Sequence, residues 1–142
     1  MKHKKFDKKQ IDTKKIIRLN PENIPAPVGK YSHITIIPKN SDLYTFSGQI
    51  GINKEGDLPE DFNEQVKNTF KNIERILASQ NLTFNNIIKV NVWATEEIDW
   101  EFFYGKWESL FGNPYPSMTI GYLKALGLPE IKIEIEIWAA RG

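Results

Sequence analysis

The 142-residue chain predicts an α+β fold of two layers, in which two helices lie on one face of a mixed β-sheet. Three observations carry that expectation. Two segments repeat apolar residues at helical spacing, the last segment alternates apolar with polar residues, and turn signals divide the chain into the order strand, strand, helix, strand, helix, strand, strand.

Lys14 to Leu19 predicts a first short strand, and Pro21, Pro25, Pro27 and Gly29 make the following stretch a turn-rich loop. β-Branched and apolar residues return from Ser32 to Ile37. Because Pro38-Lys39-Asn40-Ser41-Asp42 is a turn signal, a strand from Leu43 to Ser47 is expected to complete a hairpin. Pro59 and Asp61 precede a helix whose apolar stripe is Phe62, Val66, Phe70, Ile73 and Leu77, with Glu64 where a capping-box acid stands. It should end near Asn81, a residue that tolerates the left-handed conformation. Ile87 to Ala94 predicts a buried strand. A second helix from about Ile98 presents Phe103, Trp107, Leu110 and Phe111, and Gly112-Asn113-Pro114 closes it. In the final strand Ile131, Ile133, Ile135 and Ile137 share one face, with Lys132, Glu134, Glu136 and Trp138 on the other.

Two helices cover one face of such a sheet and leave the other bare. Trp138 and Trp93 are expected there, and an apolar patch of that kind marks an interface, so association is expected.

With 40% hydrophobic residues and 17 aromatics (4 Trp, 5 Tyr, 8 Phe) the chain can build a compact core. The absence of cysteine excludes disulfides, thiolate metal sites and cysteine nucleophiles. No secretory h-region and no membrane-length apolar run occurs, so a soluble, cytoplasmic protein without a membrane partner is expected. The net charge of +1 hides an asymmetry: residues 1–18 hold eight basic groups against Asp7 and Asp12, a balance of +6, which leaves the remainder at −5. Residues 1–15 are accordingly expected to be a flexible basic tail before a domain over residues 16–142, and the acidic body opposes nucleic-acid binding.

No GxGxxG, P-loop, HExxH or nucleophile-elbow pattern is present, and the two histidines, His3 and His33, make a histidine metal site or triad untenable. No metal and no cofactor are expected. What stands out is a series of short motifs: Pro25-Ala26-Pro27-Val28-Gly29-Lys30-Tyr31-Ser32, Phe46-Ser47-Gly48-Gln49-Ile50, Asn113-Pro114-Tyr115-Pro116 and Ile131-Lys132-Ile133-Glu134-Ile135-Glu136. In that order, over about residues 16 to 140, they resemble the RidA/YjgF family, formerly also called the L-PSP endoribonuclease family.

The resemblance implies a chorismate-mutase-like homotrimer in which three sheets form a central barrel and small-molecule sites lie in clefts between subunits. Members with the full site hydrolyse reactive enamines and imines such as 2-aminoacrylate to 2-oxo acids and ammonia. There an arginine holds the substrate carboxylate, a bidentate task suited to the guanidinium fork. A carboxylate on the last strand positions water or relays a proton. Carried over, the family tyrosine falls on Tyr31, the serine of the SGQ strand end on Ser47 and the glutamate on Glu134. The arginine falls on Ser117, the small residue two positions later on Thr119, and the asparagine of the second helix on Tyr104. Lys30 replaces a residue that is commonly proline and is a candidate cation for the cleft, since Arg18, Arg75 and Arg141 are not placed for that role.

The expectation is therefore a cleft with Glu134 and Ser47 as catalytic candidates and Tyr31, Ser117, Thr119, Tyr104 and Lys30 as binding candidates, which binds or hydrolyses a small molecule but is not an efficient 2-aminoacrylate deaminase. A residual enamine or imine deaminase, and an RNA-associated or interaction module working through the basic tail, are the alternatives.

Overall fold

A computed structural model describes residues 15–142, so the expected basic tail lies, except for Lys15, outside the described residues. In chain order the elements are β1 (Ile17–Leu19), β2 (Ile34–Ile36), β3 (Asp42–Thr45), β4 (Gln49–Ile50), α1 (Phe62–Ala78), a 3-10 turn (Phe84–Asn86), β5 (Ile87–Ala94), α2 (Trp100–Phe111), β6 (Ser117–Tyr122) and β7 (Ile133–Arg141).

The nine-residue β7 organises the main sheet. It pairs antiparallel with β5 on one side and with β3 and β4 in succession on the other, while β6 adds parallel to β5. A parallel neighbour needs a crossover, and α2 supplies it between β5 and β6. β1 and β2 form a separate two-stranded sheet.

The hairpin expected between Ser32–Ile37 and Leu43–Ser47 does not form. β2 pairs with β1, placing Ile17 opposite Ile36, whereas β3 pairs with the far end of β7, Thr45 opposite Trp138. The turn between them exists: Asn40 has φ 65° and the Ser41 hydroxyl donates to the Pro38 carbonyl at 2.6 Å. A turn signal says that the chain reverses and not what it pairs with. The long ladder of β7 outcompetes the three residues of β2.

Both helices lie on the face of the sheet formed by Val90, Val92, Ala94, Ile133, Ile135, Ile137 and Ala139, all buried. α1 contributes the expected Val66, Phe70, Ile73 and Leu77, and α2 contributes Phe103, Trp107 and Phe111. Their rings pack as a chain of aromatic contacts, Phe70 on Phe103 at 5.5 Å, Phe103 on Trp107 at 5.7 Å and Trp107 on Phe111 at 4.4 Å between centroids. Asp61 caps α1 by accepting from the Glu64 N–H at 3.0 Å, and the Glu64 carboxylate lies 3.3 Å from Lys67. At the other end Leu82 N–H donates to Leu77 and Asn81 N–H to Ala78, with Asn81 at φ 59°, a Schellman arrangement around the expected left-handed residue.

A buried polar residue ties the layers. Gln65 is fully buried and fully used: its amide nitrogen donates to the carbonyls of Pro59 and Glu130, and its oxygen accepts from the Lys132 N–H. This fixes the entry into β7 against the first turn of α1. Asn72 holds the β4 region by donating to the carbonyls of Ile50 and Ile52.

Gly51 passes so close to α1 that a Cβ there would sit 2.5 Å from the Gln65 Cα and carbonyl oxygen. Gly51→Ala is expected to cost about 1–3 kcal/mol through overpacking, measured as a fall in the urea midpoint. Asp99 caps α2 through the Phe102 N–H, and its hydrogen bonds from the Asn63 amide and from that backbone hold its carboxyl below the ordinary carboxylate value. A lowered folded pKa adds stability that is present above the unfolded value and lost as pH falls through the folded one. The stability difference between wild type and Asp99→Asn should therefore be flat near neutrality and shrink on acidification below about pH 4.

Candidate functional site

The sequence-predicted residues fall into two groups on opposite faces of the sheet. The first lies at the β6 edge on the helix side. Along β6, Met118 and Ile120 stand opposite Val90 and Val92 and so face the helices. With Val28, Gly29, Tyr31, Trp100 and Tyr104 they line a cavity of about 410 Å³, in the range of small-molecule sites. The two phenols converge on the loop backbone: Tyr31 Oη accepts from the Val28 N–H and Tyr104 Oη from the Lys30 N–H, each at 3.3 Å. Trp100 and Tyr104, one helical turn apart, have ring centroids 5.1 Å apart and form one wall. Gly29 is needed for this closeness, because a Cβ would lie 2.5 Å from the Tyr104 hydroxyl.

Lys30 frames the cavity without entering it as a free cation. Its carbonyl accepts from the Trp107 indole N–H at 2.7 Å, and its ammonium pairs with Glu108 at 3.1 Å. The hydrogen bond and charge of Glu108 raise the Lys30 pKa above its ordinary value.

The second group lies on the open face. Glu134 stands opposite Trp93, which in turn stands opposite Gly121; Glu136 and Asn91 align with Thr119, and Trp138 and Lys89 with Ser117. As expected, Trp138 and Trp93 belong to this face, Trp138 being 43% exposed. Glu134 lies against Gly48, where any Cβ would overlap its carboxylate. The exposed Ser47, the residue before Gly48, lies in the break between β3 and β4. Two strand spacings separate β7 from β6, so Glu134 is about 10 Å across the sheet from the Ser117–Thr119 row.

Ser117 does not stand as a free hydroxyl. Its Oγ is 2.6 Å from Thr35 Oγ1, and its N–H donates to the same Thr35 oxygen at 3.3 Å. These bonds, with Ser32 N–H donating to the Pro116 carbonyl, dock β2 onto the start of β6.

All three guanidinium groups are occupied elsewhere. Arg18 donates to the carbonyls of Pro114, Phe84 and Ile87 and lies over the Phe111 ring; burial lowers its pKa. Arg75 donates to the Asn72 side chain, and Arg141 to the Gln80 carbonyl and the Tyr44 hydroxyl. Among the described residues no group of three His, Asp or Glu is arranged to hold a metal ion, and no helix is long and apolar enough to cross a membrane.

Sequence reasoning missed Lys89, Thr35, Trp100, Met118 and Ile120. Reading Ile87–Ala94 as a buried strand concealed Lys89 and Asn91, which with the expected Trp93 alternate onto the half-exposed face while Val90, Val92 and Ala94 are buried. Thr35 carries no signal of its own, because its role depends on the docking of a strand from elsewhere in the chain.

Thr35→Val removes the partner of both the Ser117 amide and hydroxyl. The expected cost is about 1 kcal/mol in urea denaturation, with faster hydrogen exchange at the Ser117 amide.

The family described as endoribonuclease L-PSP matches residues 21–141. A RutC family protein of Buchnera aphidicola subsp. Schizaphis graminum is 33% identical over 124 residues, covering 85% of this chain and 94% of its own. The 2-iminobutanoate/2-iminopropanoate deaminase of Escherichia coli K12 is 28% identical over 125 residues, covering 84% and 94%. In fold, the Rid family protein YyfB of Yersinia pestis, whose function is described as unknown, matches with a TM-score of 0.76 at 21% identity over 88% of this chain and 98% of that one. With two helices on a mixed sheet and a family match that takes in all four motifs, this chain belongs to the RidA/YjgF family, the endoribonuclease L-PSP family of older usage, and is related to imine deaminases.

Proposed function

We propose that the protein works as a homotrimer whose clefts between subunits bind or hydrolyse a small molecule, and that it is not an efficient 2-aminoacrylate deaminase. The observation that carries this reading is the 2.6 Å contact between the hydroxyls of Ser117 and Thr35, at the position where the family's substrate-holding arginine is expected. A small hydroxyl already engaged by its neighbour does not replace a guanidinium fork. The three arginines of the chain are each engaged by carbonyls or side chains other than that of Ser117.

The split of the candidate residues supports the assembly. Tyr31 and Tyr104 line a cavity at the β6 edge, whereas Ser47 and Glu134 lie at the β3–β4 edge on the opposite face. A second copy would bring the β3–β4 edge of one subunit to the β6 edge of its neighbour. Leu43, 60% exposed, and Trp138 supply apolar surface on the open face for that contact.

Losing a bidentate carboxylate anchor in a partly buried cleft costs about 2–5 kcal/mol, or roughly 30-fold to several thousand-fold in affinity. A second reading, residual imine deamination, is favoured by Glu134: among the described residues its carboxylate makes no hydrogen bond or ion pair, and it rests on Gly48, the residue after Ser47. A carboxylate so placed is free to handle a proton or a water.

An assay that generates 2-aminoacrylate in situ and follows pyruvate release tests both readings. The wild type should accelerate release weakly, Ser117→Arg should raise kcat/KM by about 30-fold or more, and Glu134→Ala should return both to the buffer rate. A wild-type rate equal to that of the Escherichia coli deaminase assayed alongside would overturn the main reading.

A further inference from the structure

The cavity at the β6 edge offers hydrogen-bond donors without offering charge. None of the seven residues that line it is an Asp, Glu, Lys, Arg or His. The Lys30 ammonium lies 5.8 Å from the Tyr104 ring centroid, but the Glu108 carboxylate at 3.1 Å offsets its charge. An ion entering this space would give up water and meet no counter-charge.

The donors are the two phenols. A tyrosine hydroxyl accepts through its oxygen and donates its one proton, and the two functions are filled separately. Tyr31 Oη accepts from the Val28 N–H and Tyr104 Oη from the Lys30 N–H, yet neither hydroxyl donates to another described residue. Both oxygens are thus pinned to one short stretch of backbone while both protons stay available.

The walls favour a flat partner. Trp100 and Tyr104 meet at 34° with centroids 5.1 Å apart, and both rings, like that of Tyr31, are only half-buried. Each keeps ring surface for a further aromatic contact. Met118, also half-buried, adds a thioether of the kind that packs at a ring edge.

We propose that this cavity takes an uncharged, flat ring carrying a carbonyl oxygen, the ring lying against Trp100 and Met118 and the oxygen accepting from the hydroxyls of Tyr31 and Tyr104. The proposal names the ligand class of the cleft described above and rests on that reading. An anion of the same shape leaves its charge unpaired, and an acyclic amide forfeits the ring contacts. Trp100 and Tyr104 are therefore specificity-determining residues.

Three probes separate these features by ligand-observed NMR on the intact protein: benzamide, benzoate, which exchanges the amide for a charge, and acetamide, which lacks the ring. Wild type should bind benzamide about tenfold more tightly than either of the others. Tyr104→Phe, which removes one hydroxyl, should weaken benzamide by about 3- to 10-fold, and Trp100→Leu by about tenfold. Benzoate binding as tightly as benzamide overturns the uncharged class and leaves the cleft standing. Unchanged benzamide binding by Tyr104→Phe and by a folded Trp100→Leu overturns the assignment to this cavity; if Trp100→Leu does not fold, unchanged binding by Tyr104→Phe together with Tyr31→Phe does so. Failure of benzamide to bind a wild type that still accelerates pyruvate release from 2-aminoacrylate overturns the ligand class alone. Failure of both removes the cleft reading with it.

Discussion

The alternation along β7 is the constraint on which the rest of this molecule depends. Ile133, Ile135, Ile137 and Ala139 must meet the helices, so Glu134, Glu136 and Trp138 are turned to the opposite face with no freedom of choice. Because β7 is paired on both sides, its register is imposed on β5 and on the β3–β4 edge, and through β5 on β6. A slip by one residue would bury two glutamates in the core and expose three isoleucines. Gln65, satisfied at all three of its bonds, guards against that slip at the entry to the strand.

The same constraint divides the chemistry. An aromatic cavity forms on one side, where α2 and the loop around Gly29 close over the β6 edge, and charged groups collect on the other, where no helix covers them. The aromatic cavity and the polar groups thus do not meet within one chain. On the open face the Ser117 and Thr35 hydroxyls lock a strand junction, and Lys89, one strand over, donates to the Thr119 hydroxyl.

The elements with strong periodicity were legible. The stripe of α1, the left-handed Asn81 and the two faces of β7 all follow from residue spacing, and so does the placing of Trp93 and Trp138 on the uncovered face. What escaped is non-local. The partner of β3 is a strand more than 90 residues later, which no local turn encodes. The engagement of Lys30 by Glu108, of Ser117 by Thr35 and of Arg18 by three carbonyls depends on which loops come to rest against which edges. Short alternation inside an apolar run was also easy to overlook, and it hid the half-exposed Lys89 among Ile87, Ile88 and Val90.

The proposed site is completed only between copies of the chain, because its two groups lie apart within one copy. Sedimentation equilibrium of the purified protein at micromolar concentration addresses this without knowledge of the ligand. The predicted result is one species of about 49 kDa, three chains of 16.4 kDa each. A stable monomer at 16.4 kDa would contradict the account, since the cavity at the β6 edge and the carboxylate at the β3–β4 edge would then never share a ligand.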